Sequence, residues 1–339
     1  MLSVLEGSGL VSSAYAPTRN RAYVIGKDGR LRLDPAKRHL KPFTLLTGPE
    51  SITVGANTDM TGGFMAGGVS VPAIMEIDGK APFEAVAISF HARRTSTGAL
   101  NSQFMVKIMD PQGRSLLMNR EIHVRTLAGG FGSSLGTEAN AGGRPLILPE
   151  TFFMDPDAGG RALAVEFRNL NAFEIAVRIA VHGVRYTDFR AYERALRERE
   201  QMFGRGRIAY PFFATTDRHV RLTASQADTF DLRLSDDSDA ELMKLARYSD
   251  GNFLSRIVEM DGKRPLDNAG ADATGGQSGV FMDFMWGDAE FPFIPYETAY
   301  YERGTKLQVW LEDLSAAVNN VWVTAIGRKI RYPEGVPLR

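Results

Sequence analysis

Ser134 lies in Gly132-Ser133-Ser134-Leu135-Gly136, the G-x-S-x-G spacing that can present a serine nucleophile for acyl transfer. That chemistry needs a buried strand before the serine and a helix after it, so that the hydroxyl rides a sharp turn. The chain offers neither: the motif sits inside a glycine-rich run from Thr126 to Gly143, and no helical periodicity follows. Ser134 therefore reads as loop. The same glycines make no phosphate cradle, because Gly-Lys-Ser/Thr and a strand–turn–helix context are both missing.

Other reactive types are equally sparse. Ser235-Asp236-Asp237-Ser238-Asp239-Ala240-Glu241 could offer carboxylate oxygens to Ca²⁺, but the loop glycine and terminal glutamate of an EF-hand are missing. The run also fits a helix capping box at Ser238–Glu241 or a solvated loop. His39, His91, His123, His182 and His219 are scattered singly, and there is no cysteine, so no zinc set is legible. Absence of cysteine also removes disulfides and thiolate catalysis. No catalytic residue, cofactor site or metal site is expected.

The elements that would position any site come from an internal repeat. Leu163 to Gly183 (LAVEFRNLNAFEIAVRIAVHG) aligns without a gap on Leu307 to Gly327 (LQVWLEDLSAAVNNVWVTAIG). Leu163, Val165 and Phe167 fall on Leu307, Val309 and Leu311; Leu170 falls on Leu314, and Ile179 on Val323. Upstream, Phe104-Met105-Val106-Lys107-Ile108 answers Phe253-Leu254-Ser255-Arg256-Ile257, and Leu117 and Asn119 answer Leu266 and Asn268. Repetition at this scale means one structural unit used twice, and a feature in both copies is scaffold before it is active site.

Within each copy the apolar residues alternate with polar ones, as in Leu163-Ala164-Val165-Glu166-Phe167-Arg168, which is the period of a half-buried strand. Asp261-Gly262 is hairpin chemistry. Many short strands with one polar face predict a mainly β protein: two tandem antiparallel β-sandwiches, residues 41–186 and 210–339 with a short C-terminal tail. Between them, residues 187–209 hold one helix, Asp188 to Phe203, with Phe189, Tyr192, Leu196 and Phe203 on a stripe. Thr187 or Asp188 can cap its start and Gly204 its end. Residues 1–40 belong to neither copy and read as an extended arm, which needs something to lie on.

Charge and hydropathy exclude several partners. Forty basic residues balance 40 acidic ones, so no net field draws the chain to nucleic acid or an anionic membrane. No apolar run reaches spanning length, and the N-terminus lacks a secretory design. One composition shift stands out. Phe281, Phe284, Trp286, Phe291, Phe293, Tyr296, Tyr300 and Tyr301 crowd eight aromatics into the second copy, more than one strand face can bury. They suit a subunit interface or a platform for sugar rings.

Taken together, the order of elements resembles the structural proteins of tailed-bacteriophage virions that carry jelly-roll-like sandwich modules. The residues behind this are Phe104, Lys107, Ile108, Gly113, Arg114, Leu117, Asn119 and Ile122-His123 in the first copy. Phe253, Arg256, Ile257, Gly262, Lys263, Leu266 and Asn268 carry it in the second, which has no Ile-His equivalent. The resemblance implies a non-enzymatic virion component of a capsid, head decoration, neck or tail, made in the host cytoplasm. Its partners would be further copies of itself and other virion proteins, with a glycan as the alternative. The interface residues expected are Phe189, Tyr192, Leu196 and Phe203 on the helix, and Phe284, Trp286, Phe291, Phe293, Tyr296, Tyr300 and Tyr301 in the cluster.

Overall fold

The structure is a computed structural model of the 339-residue chain. It describes residues 23–25, 31–33, 40–47, 51–57, 71–77, 81–109, 117–128, 145–156, 162–204, 207–235, 238–260, 264–266, 279–289, 291–295 and 298–331. Ser134, Tyr296, most of the arm and Asp236-Asp237 of the acidic run lie outside them.

An antiparallel pair, β1 (Tyr23–Ile25) and β2 (Leu31–Leu33), falls within the expected arm. Then come β3 (Leu40–Leu46), β4 (Ile52–Val54), β5 (Val71–Glu76), β6 (Phe83–Arg94), β7 (Phe104–Met109) and β8 (Ile122–His123). A single-turn helix α1 (Val124–Leu127) precedes β9 (Leu146–Met154), β10 (Ala162–Asn169) and β11 (Ile175–Tyr186). Helix α2 (Phe189–Phe203) leads to β12 (Ile208–Thr215), β13 (Val220–Leu222), β14 (Ala227–Arg233), β15 (Asp239–Ser249) and β16 (Phe253–Glu259). The chain continues through β17 (Arg264–Pro265), β18 (Val280–Phe281), α3 (Met282–Met285), β19 (Ala299–Tyr301), β20 (Lys306–Asp313) and β21 (Asn319–Arg331).

The protein is mainly β, and its named strands pair antiparallel. In the first half one sheet runs β3-β11-β6-β9, with β4 also on β11, and a second runs β5-β10-β7-β8. The second half repeats this order as β12-β21-β15-β19, with β13 on β21, and β14-β20-β16, with β17 and β18 both on β16. The sequence repeat thus lands on β10–β11 and β20–β21. Val165 faces Ile108 across one sheet as Val309 faces Ile257 across the other, and all four side chains are buried.

Strand character follows from alternation. Along β10 and β20 every second side chain is buried and its neighbours are half-buried. Burying a large aliphatic side chain contributes about 1.5–3 kcal/mol, so each such strand is held to the core by several anchors. The outward positions carry charge: Arg168 on β10 meets Glu121 at 2.8 Å.

The repeated glycine has a steric cause. Gly183 on β11 and Gly327 on β21 each sit where the register with the neighbouring strand slips. A Cβ there would stand 1.9 Å from the carbonyl oxygen of Glu84 in one half and of Glu241 in the other. Only glycine lets the backbones approach this closely at the bulge.

Two hydrophobic clusters form the core. The second lies within the second half, but the first extends beyond its own half to include Phe213, Ala246 and Ile326. Two local expectations change. Asp239 to Glu241 start strand β15 rather than cap a helix, because Asp239 accepts from the Tyr300 hydroxyl and from the Arg303 amide at 3.0 Å. Helix α2 is capped by Asp188, whose carboxylate accepts from the Arg190 amide, and ends at Gly204 with φ 94°.

Candidate assembly interface

The most constructed surface of the molecule is the one its two halves share. Helix α1 is capped by His123, whose Nδ1 accepts from the Arg125 amide at 3.2 Å. Its Nε2 therefore carries the proton and donates to Gln103 Oε1 at 3.1 Å. Gln103 Nε2 in turn donates to the Tyr248 hydroxyl at 2.9 Å, across to the second half. The His123 ring stacks on Tyr248 (4.7 Å) and lies tilted against Trp322 (4.6 Å). Burial holds the His123 pKa well below its ordinary value, helped by the charges of Arg125 and His219. Charging the ring would also turn the Arg125 amide contact from attraction to repulsion.

Beside it, the hydroxyls of Thr126 and Thr324 meet at 2.6 Å, and Leu170 packs with Met105 against Trp322. Leu117 to Asn119 runs along β12: the Phe213 amide donates to the Leu117 carbonyl at 2.7 Å and the Asn119 amide to the Phe213 carbonyl at 3.3 Å. The Asn119 carboxamide then holds both backbone groups of Thr215, at 2.9 and 3.0 Å.

A second seam is ionic. Glu150 on β9 lies between Arg199 of α2 (3.3 Å) and Arg328 of β21 (3.4 Å), and Arg328 also binds Glu241. Arg199 is buried and donates to the carbonyls of Thr151 and Ala209, so its charge is matched by three acceptor groups. Thr151 and Tyr186 both donate to the buried carboxylate of Glu84. The helix sequence shows Arg199 only as one more charge on a charged face, so nothing in it marks this role.

Between the halves a polar cleft of about 240 Å³ is lined by Lys107, Asn119, Arg120, Glu121, Arg168 and His219, among others. Its charges are of both signs, with Arg168 on Glu121 and, at the rim, Arg218 on Asp228 at 3.0 Å. His219 is lowered to about 4 by burial and then by Arg221, with Asp250 opposing. Among the described residues no group of three or more His, Cys, Asp or Glu is placed to hold a metal ion.

The expected interface residues that the structure describes separate into three sets. Tyr192, Trp286 and Tyr301 are buried inside the chain. Tyr192 contacts Phe153 and Tyr186, with its hydroxyl raised in pKa by burial and by Asp155; burial pushes Tyr301 up to about 12. Trp286 fits because Ser255 stands below it and accepts the indole N–H at 2.7 Å. These three are core residues and present no surface to another copy. Leu196 and Phe203 are half-buried, Phe203 beneath the Arg328 guanidinium. Phe189, Phe284, Phe291, Phe293 and Tyr300 are exposed, joined by Phe281 of the same aromatic cluster and by Ile294, which the sequence reading did not name. Tyr300 is tied by its hydroxyl to Asp239.

No family model matches the chain, and no curated protein matches it. The solved structures it resembles include two viral capsid descriptions. One is the VP54 protein of the virus PBCV-1 fitted into a reconstruction of the virophage Sputnik: 7% identity, TM-score 0.35, 87% of this chain and 96% of that one. The other is a quasi-atomic model of the PBCV-1 capsid: 8% identity, TM-score 0.35, 87% and 96%. A structure of PNGF-II matches at 9% identity and TM-score 0.30, over 85% of this chain and 66% of that one. With every one of these TM-scores below 0.5, no residue role passes from any of them to this chain.

Proposed function

We propose that the chain is a non-enzymatic structural component of a bacteriophage virion, a capsid, head-decoration, neck or tail protein, that associates with itself or with other virion proteins. On this reading it consists of two tandem jelly-roll sandwiches, residues 41–186 and 210–339, joined through α2. The observation that carries it is the strand order itself: two antiparallel sheets in each half, β3-β11-β6-β9 with β5-β10-β7 and β12-β21-β15-β19 with β14-β20-β16, wound the same way twice. Jelly rolls of this winding close their sheets against each other and serve as building blocks of shells. The seam of Glu150, Arg199 and Arg328 makes one block of the two units. Exposed rings at Phe281, Phe284, Phe291 and Phe293 give that block apolar surface that suits contact with another macromolecule.

A second reading, a carbohydrate- or receptor-binding module, draws on the same rings, since flat aromatic faces also suit sugars. Among the described residues no helix is long and apolar enough to cross a membrane. Negative-stain microscopy with light scattering on the purified chain tests the structural reading. Regular closed or tubular assemblies, inert toward activated esters, are expected. A chain that stays monomeric at high concentration and binds no virion protein would sink the proposal; selective capture on a glycan array would favour the second reading.

A further inference from the structure

Four residues of the first half are buried where their counterparts in the second half are exposed. Strands β8 and β18 each run straight into a single-turn helix, so β8–α1 and β18–α3 align residue by residue. His123 falls on Phe281 and Thr126 on Phe284; the repeat places Leu117 on Leu266 and Leu170 on Leu314. The first member of each pair is buried, whereas Phe281 is 51% exposed, Phe284 72%, Leu266 44% and Leu314 43%. His123, Thr126, Leu117 and Leu170 all meet the second half. Among the described residues nothing stands in that place over the second half.

The receiving side shows the same imbalance in reverse. Trp322 faces Tyr248 across β21–β15 as Arg178 faces His91 across β11–β6, and Thr324 corresponds to Ala180. Strand β21 is buried without interruption from Asn319 to Gly327, because the first half covers its outer face. Strand β11 alternates, and its outward residues Arg178, Ala180 and His182 are half-buried.

We infer that the β18–α3 face of one copy docks on the β6–β11 face of another, reproducing between chains the contact that the halves make within one. This rests on the self-association in the reading above and names its surfaces. The side chains exchange roles in a complementary way. Where His123 lies over Tyr248 and Trp322, Phe281 of one copy would lie over His91 and Arg178 of the next, the guanidinium supplying a cation–π contact. Where Thr126 meets Thr324, the larger Phe284 would meet the smaller Ala180. The contact is heterologous, head to tail, and such contacts close into rings or continue as open filaments.

The chain has no cysteine, which gives a clean test. A Phe284→Cys protein is mixed with an Ala180→Cys protein and oxidised; the Thr126→Cys, Thr324→Cys double variant serves as the within-chain control. The mixed 284–180 link should form faster than either like-with-like link. In sedimentation velocity Phe284→Asp and Ala180→Trp should each weaken association at least tenfold, and Phe284→Asp should leave the melting temperature unchanged because its side chain lies outside the core. Association of undiminished strength in both variants, with no preference for the mixed link, would overturn the assigned surfaces and leave self-assembly standing. A wild-type chain that never associates would overturn both.

Discussion

At the scale of single residues, two positions are set by distance and two by charge. A Cβ at Gly183 or Gly327 cannot be accommodated without moving the backbone of Glu84 or Glu241. Gly183→Ala and Gly327→Ala should each destabilise by about 2–3 kcal/mol, by analogy with overpacked cores, and denaturant melts would show similar losses for the two. His123 and His219 are both held neutral in the folded chain, with pKa values depressed by burial. The unfolded chain therefore binds more protons below its ordinary histidine value of about 6.5. Stability should be flat above that pH and fall as pH drops from about 6.5 toward 4, the folded value at His219. A melting temperature that held constant from pH 7 to 4.5 would contradict this, and His219→Phe should flatten part of the slope.

At the scale of elements, much of the sheet could be read in advance, because a strand with one wet face must alternate. Leu163 to Arg168 announced β10, and the Asp188 cap and Gly204 announced α2. What could not be read was which leucine would be covered. Leu170 and Leu314 are the same residue at the same point of the repeat, and only the arrival of Trp322 from far along the chain separates their fates. Trp286 was read as surface for a similar reason: its room comes from Ser255, which stands where the first copy has the larger Val106. Helix α2 hid its most consequential residue among seven charged or amide neighbours. Arg199→Ala should leave Glu150 partly unpaired and two carbonyls without their donor, costing about 3–5 kcal/mol. Loss of less than about 1 kcal/mol in a chemical melt would mean water replaces the guanidinium.

At the scale of the whole molecule, both halves use one plan, but the chain is not symmetric. The first core runs into the second half through Phe213, Ala246 and Ile326, so the halves share apolar burial as well as polar contacts. The arm is a separate matter, since β3 begins only at Leu40. Removing residues 1–39 should leave the melting temperature within a few degrees of the full chain while weakening assembly, to be followed by calorimetry and light scattering. A collapse of the fold on truncation would show that the arm belongs to the core.

The Thr126–Thr324 contact has a consequence in time. Its partners are 198 residues apart. A ribosome adding about 5–20 residues each second takes roughly 10–40 s to travel from one to the other. Over the later part of that interval, once Tyr186 is made, the first half stands with His123, Thr126 and Leu170 bare, while its own cover is still being synthesised. Neighbouring ribosomes on one message carry the same bare face and, a little ahead, the finished cover for it. Exchange between nascent chains would yield intertwined dimers, and slowing translation after Tyr186 should raise their share.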